Sequence, residues 1–159
     1  MKGDEKENMN IKNITLFILT NIYLIILYKA SIRDIKERIV LNRTCLIEYI
    51  LAFLIAILLK IPIKYILINS IWLFAIMYVL QLVYGLMTDE MGIGGGDIKL
   101  APAITLFIYP YSYIGILIGL LLSVLDPYVF KRKNKECPFV IYYFLSCIIS
   151  VMARVFHVI

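Results

Sequence analysis

Residues 65–87 read YILINSIWLFAIMYVLQLVYGLM, an uninterrupted run with no charged side chain. About 20 apolar residues are what an α-helix needs to cross the hydrocarbon core of a bilayer. Only a helix or a closed barrel satisfies every backbone group there, and the run lacks the period-2 alternation of a barrel strand. It is therefore read as a membrane helix, with Asn69 and Gln81 satisfied by neighbouring helices.

Working outward, similar blocks lie on both sides. Upstream, Lys60-Ile61-Pro62-Ile63-Lys64 makes a tight turn from a span at about Cys45 to Leu59, itself preceded by one at about Ile14 to Tyr28. Downstream, a glycine-rich connector, Gly92 to Gly96, leads into an apolar stretch from Leu100 to Phe130. That stretch is too long for one helix. Tyr109-Pro110-Tyr111 breaks it, because proline lacks an amide donor and disfavours helix at the residue before it. A sixth span runs from about Pro138 to Val155. The expected fold is an all-α membrane bundle of about six transmembrane helices. It comprises a polar N-terminal tail at 1–13 and a single transmembrane domain at 14–159. The fourth span falls short of 20 residues, so it is expected to be tilted or to start in the headgroup layer. The first block has no small-residue cleavage site after it and is read as a retained span.

Composition agrees. The chain of 159 residues is 62% hydrophobic and 17% charged, with a mean hydropathy of +0.90, where soluble domains sit near half apolar and a quarter charged. The net charge of +5 comes from Lys and Arg gathered at the ends of apolar blocks, which fits headgroup contact and not nucleic acid. Cys45, Cys137 and Cys147 are too few and too scattered for a zinc site or a disulfide framework. Lys29, Arg33, Lys36, Arg38, Arg43, Lys99 and the basic residues at 131–135 fall on one side of the six-span topology. Lys2, Lys6, Lys12, Lys60, Lys64 and Arg154 fall on the other. The first side is expected to be cytoplasmic.

This topology returns two acids to the cytoplasmic side. Asp34 follows span one, and Asp97 ends Gly94-Gly95-Gly96-Asp97 at the start of span four. Taken singly, each has an ordinary explanation: a carboxylate at a helix end is usually solvated, and a glycine run is usually a connector. Taken together they could form a carboxyl pair in which one member keeps its proton, as aspartyl proteolysis requires. Glu48, one turn into span two, is a further candidate to face them. Asp89 and Glu90 are read as loop solubility, and Asp126 as structural.

Gly94-x-Gly96-Asp97-x-Lys99-Leu100 resembles the Gly-x-Gly-Asp-x-Lys-Leu motif of the type IV prepilin peptidases. Asp34, Arg38, Ile39 and Asn42 are similar to that family's first aspartate segment, with Leu41 where proline is common. Lys135-Glu136-Cys137-Pro138-Phe139 is similar to its Pro-Phe entry to the last span. The resemblance implies catalytic Asp34 and Asp97, with Gly94, Gly96, Lys99, Asn42, Arg38 and Pro138 in support. It implies a multi-pass protein of the cell membrane that removes the basic leader of prepilin-like substrates at the cytoplasmic face. No metal or other cofactor, and no nucleic acid, is implied; the partners are the substrate and membrane lipids. The likeness is to short forms without the N-terminal region bearing paired C-x-x-C motifs. Two alternatives stay open: a presenilin-type intramembrane protease, which also uses Gly-x-Gly-Asp, and a non-enzymatic membrane subunit or ion-coupled transporter.

Overall fold

The computed structural model describes residues 2–88, 95–110, 114–119, 121–122 and 139–157. Among these the protein is an all-α bundle with no strand. The helices are α1 (Lys2–Glu37), α2 (Asn42–Leu58), α3 (Ile63–Thr88) and α4 (Gly95–Phe107). They are followed by α5, helical at 114–119 and 121–122, and α6 (Phe139–His157).

Two helices, at Asn10–Glu37 and Ile63–Val83, are long and apolar enough to cross a membrane, and Phe139–Val155 is a shorter apolar one. Their outer faces suit lipid. Phe17, Ile71 and Trp72 are 70%, 68% and 61% exposed, and apolar surface on that scale would be untenable in water. The polar stretch at the N-terminus continues the first span as one helix from Lys2. At 1.5 Å per residue its 36 residues reach about 54 Å, well beyond a hydrocarbon core of about 30 Å.

The short fourth span has a physical reason. α4 has 13 residues, about 20 Å, and from Asp97 to Phe107 every residue except Lys99 is buried. It lies at the centre of the bundle against α2 and α3, with α6 touching it more sparingly. An enclosed helix has no lipid thickness to match. One of its C-terminal carbonyls, which lack intrahelical partners, is met from α6: the Arg154 guanidinium donates to the Phe107 carbonyl oxygen and lies over the Phe107 ring. Tyr23 of α1 stacks on that ring, with centroids 4.0 Å apart.

The turns follow local rules. Lys60, at φ 57°, ends α2 in the left-handed region. The Ile61 N–H then donates to the Ala56 carbonyl and the Lys60 N–H to the Ile57 carbonyl, both at 2.9 Å. Pro62 follows at once, as is common after such a cap.

Candidate active site

Asp34 sits in the last turn of α1, six residues past Tyr28, where the apolar part of that helix ends. α1 closes with an αL cap: Arg38 has φ 56°, and its N–H donates to the Asp34 carbonyl oxygen at 3.0 Å. The chain therefore leaves the helix axis four residues after the acid. The Asp34 side chain turns inward and is 5% exposed. Its Oδ2 accepts from the Val140 N–H at 3.3 Å. Val140 is the second residue of α6, so this amide is one of those that no intrahelical carbonyl can satisfy. Asp34 thus serves as a cap contributed from another helix. Ser31, one turn earlier, donates to the Val140 carbonyl at 3.3 Å and holds the same junction. Burial pushes the Asp34 carboxyl up from its ordinary value, and the Val140 amide and the Arg38 charge oppose that rise.

Asp97 lies in the first turn of α4 and is 6% exposed. α4 begins at Gly95, so the last two connector glycines are already helical. The two differ in what surrounds them. A Cβ on Gly95 would meet nothing within 4 Å, whereas a Cβ on Gly96 would stand 2.6 Å from the Val40 Cβ. Real Cβ atoms do not approach so closely, so a glycine is required at 96 by the segment that follows Asp34. That is a steric account of the second glycine of the motif.

Two further contacts join α4 to the start of α2. The Cys45 thiol lies 3.8 Å from the Gly96 carbonyl oxygen. The Lys99 ammonium donates to the Asn42 side-chain oxygen at 2.9 Å. Lys99 and Asn42, expected as separate supporting residues, are partners of one another. Tyr143 of α6 lies within electrostatic reach of Asp97. Since Val140 and Tyr143 are three residues apart, and so neighbours on the helix surface, the first turns of α6 stand against both acids.

The two aspartates are thus each buried, carried on separate helices and brought against one end of α6. Gly94 and Pro138 lie outside the described residues, as do Asp89, Glu90, Asp126, Cys137 and the basic residues at 131–135. Arg38 acts on Asp34 through its charge and through the αL cap. Val40, Ser31, Val140 and Tyr143 carry no motif signal. Val140 contributes a main-chain amide, which any residue but proline supplies.

The model of the type IV leader peptidase family matches residues 21–153. The chain belongs to that family. The match covers α2, α3 and α4 in full, together with the C-terminal half of α1 from residue 21 and most of α6, so every residue of the site just described lies inside it. No curated protein and no solved structure matches the chain. Membership makes the chain a peptidase of the leader-peptidase type and accords with its apolar helices.

Proposed function

We propose that this leader-peptidase family member is an aspartyl endopeptidase that removes the basic leader of type IV prepilin-like substrates. The observation that carries the reading is the pair of buried carboxyls, Asp34 and Asp97, set against the first turns of α6. The acids sit at the cytoplasmic ends of α1 and α4 in a six-span, multi-pass topology, which the distribution of Lys and Arg supports.

Two neighbouring carboxyls do not both ionise cheaply, so at working pH the pair holds one proton. The ionised member takes a proton from water as the water oxygen attacks the scissile carbonyl carbon. The protonated member donates to the carbonyl oxygen; the member that took the water proton then passes it to the amide nitrogen, and collapse of the tetrahedral species releases the leader from the new amine. Arg38 and the Val140 amide stabilise charge on Asp34, while the αL turn and Gly96 fix the backbones that carry the two acids. Gly96, Asn42, Lys99 and Arg38 act as positioning residues; Gly94 and Pro138 are assigned a supporting role from their place in the motif.

The test is to co-express a prepilin with the Asp34→Asn or Asp97→Asn variant and follow leader removal by gel shift and N-terminal sequencing. Each variant is checked for membrane insertion. Loss of cleavage in both is expected. Complete cleavage by either inserted variant overturns the assignment, and a cut inside the substrate's own transmembrane helix would redirect it to a presenilin-type reaction.

A further inference from the structure

Asn21 places an amide on a face of α1 that otherwise suits lipid. It is exposed, and its neighbours on the helix surface, Phe17, Ile18 and Ile25, are 70%, 51% and 54% exposed. Its side-chain nitrogen donates to the Phe17 carbonyl oxygen at 2.8 Å. The second N–H of the amide and its oxygen meet no partner among the described residues. Polar groups left so in hydrocarbon are costly, and in bilayers they are ordinarily taken up by hydrogen bonds between helices.

Asn21 also lines a groove. Leu24, Ile25 and Tyr28 follow it at helical spacing on α1, and Phe144 and Ile148, one turn apart on α6, form the opposite wall. The space between them is open and about 340 Å³. The Tyr28 and Phe144 rings meet across it with centroids 5.4 Å apart. Both walls lead to the acids. Val140, Phe144 and Ile148 fall in one column of α6 at four-residue spacing, and Val140 is the residue whose amide holds Asp34. Ser31, three residues past Tyr28 on α1, donates to the carbonyl of that same Val140. Measured along α1, Tyr28 lies about 9 Å and Asn21 about 20 Å below Asp34.

That continuity fixes the occupant. A chain cut beside Asp34, whose next segment is an apolar helix, descends into the bilayer from the cut at about 1.5 Å per residue. It passes the depth of the groove about 6 to 13 residues later. Such a helix offers apolar side chains to Leu24, Ile25 and Ile148. Its main-chain carbonyls, each with a second lone pair, face the unused N–H of Asn21. The groove between α2, α3 and α4 lacks this relation to the site. Lys99, on its wall, is two residues from Asp97 and so lies about 200° around α4 from it.

We infer that the α1–α6 groove is the docking surface for the apolar helix of the substrate, with Asn21 as its hydrogen-bonding contact in the bilayer interior. The inference rests on the prepilin-type reading of the two acids and adds where the membrane part of the substrate lies.

The test places photo-activatable p-benzoylphenylalanine in the full chain, in membranes that also hold a type IV prepilin. It replaces Ile25 or Ile148 in the groove, or Ile71, 68% exposed on the wall of the other groove, as the control. Adducts with the prepilin are expected from positions 25 and 148, several-fold above position 71, and mapping to the apolar helix about 6 to 13 residues after the cut. Asn21→Leu should raise KM for the prepilin by about three-fold with little change in kcat, the size of one hydrogen bond between helices in a bilayer. Equal adducts at position 71, adducts that join two copies of this chain or capture only lipid, or an unmoved KM would overturn the inference. If Asn21→Leu does not fold, the adducts decide, since they are formed with Asn21 in place. The two readings fail separately. Cleavage that survives Asp34→Asn or Asp97→Asn removes the aspartyl assignment and leaves the adducts standing, whereas cleavage that needs both acids without adducts at 25 and 148 removes the groove alone.

Discussion

Replacing Gly96 with alanine is the sharpest single perturbation of the site. The added Cβ would stand 2.6 Å from the Val40 Cβ and 3.4 Å from the Val40 Cα, where carbon atoms ordinarily rest about 3.5–4.0 Å apart. The overlap is about 1 Å. It cannot be relieved by a rotamer change, because a Cβ is fixed by its own backbone. Either α4 or the 38–41 segment must move, and overpacking of this kind typically costs about 1–3 kcal/mol. The displacement falls where the segment that follows Asp34 meets the residue before Asp97, and misplacement of a catalytic group by about 1 Å can cost on the order of 100-fold in rate. Gly96→Ala should therefore lower leader cleavage by about 10- to 100-fold while the protein still inserts, with a modest fall in thermal stability in detergent. Gly95→Ala, whose Cβ meets nothing within 4 Å, should retain near-normal cleavage and serves as the control. The tightest clash is with the Cβ of Val40, and its Cγ2 stands at 3.2 Å, so adding Val40→Ala should rescue little and adding Val40→Gly should restore a large part of the activity. Unchanged cleavage in Gly96→Ala, or rescue by Val40→Ala as good as by Val40→Gly, would refute the steric account.

Other residues give distinct signatures. Asp34 has its folded pKa raised, so the folded state binds the proton more tightly than the unfolded chain. The resulting stability is present below the ordinary carboxylate pKa and is lost as pH rises through the folded value. Asp34→Asn should therefore unfold at a higher temperature than the parent at neutral pH, and the advantage should vanish in acid; a variant less stable at neutral pH would contradict the burial argument. Arg38→Gly should remove a left-handed strain of about 1 kcal/mol but also a charge that favours ionised Asp34. Its cleavage–pH profile should move toward higher pH without loss of stability, and an unmoved profile would count against the coupling. Lys99→Met and Asn42→Ala should each lower cleavage a few-fold, and the double variant should be no worse than the poorer single one, since they share one hydrogen bond. Additive losses would show that the two act separately.

Hydropathy made the bundle legible because lipid imposes one rule on every span: apolar outside and backbone satisfied within. The same rule explains the weak fourth span, since α4 faces protein on nearly every side and need not match the bilayer. The sequence singled out the two acids through the glycines and lysine around Asp97 and the Arg38–Asn42 segment after Asp34, and both are buried at the ends of their helices. What gave no signal was how they are held. The Val140 amide meets Asp34 across 106 positions of sequence, and a main-chain donor has no preferred residue type. Val40 matters chiefly through its Cβ, which every residue but glycine shares. Lys99 and Asn42 stood out individually, yet their pairing across 57 positions follows from how α4 docks beside α2, which pattern cannot supply.

The packing also indicates how each acid is carried in the bundle. α4 is seated most extensively on α2 and α3, and α1 on α6 with α2 beside it, whereas α4 and α6 share little. Asp97 therefore belongs to the α2–α3–α4 part of the bundle and Asp34 to the α1–α6 part, and the two parts also meet along α1 and α2. Toward the far end the halves are tied through Phe107, by the Arg154 guanidinium and the stacked Tyr23 ring. At the end that carries the acids, the chain joins the halves through residues 38–41, and Val40 against Gly96 is the steric stop between them. That stop limits how closely the start of α4 can approach the segment that leads away from Asp34. Gly96 is then the residue that lets the halves close far enough. Its missing Cβ lets the start of α4 lie against Val40, while the Val140 amide holds the Asp34 carboxyl and the Asn42–Lys99 pair ties α4 to α2.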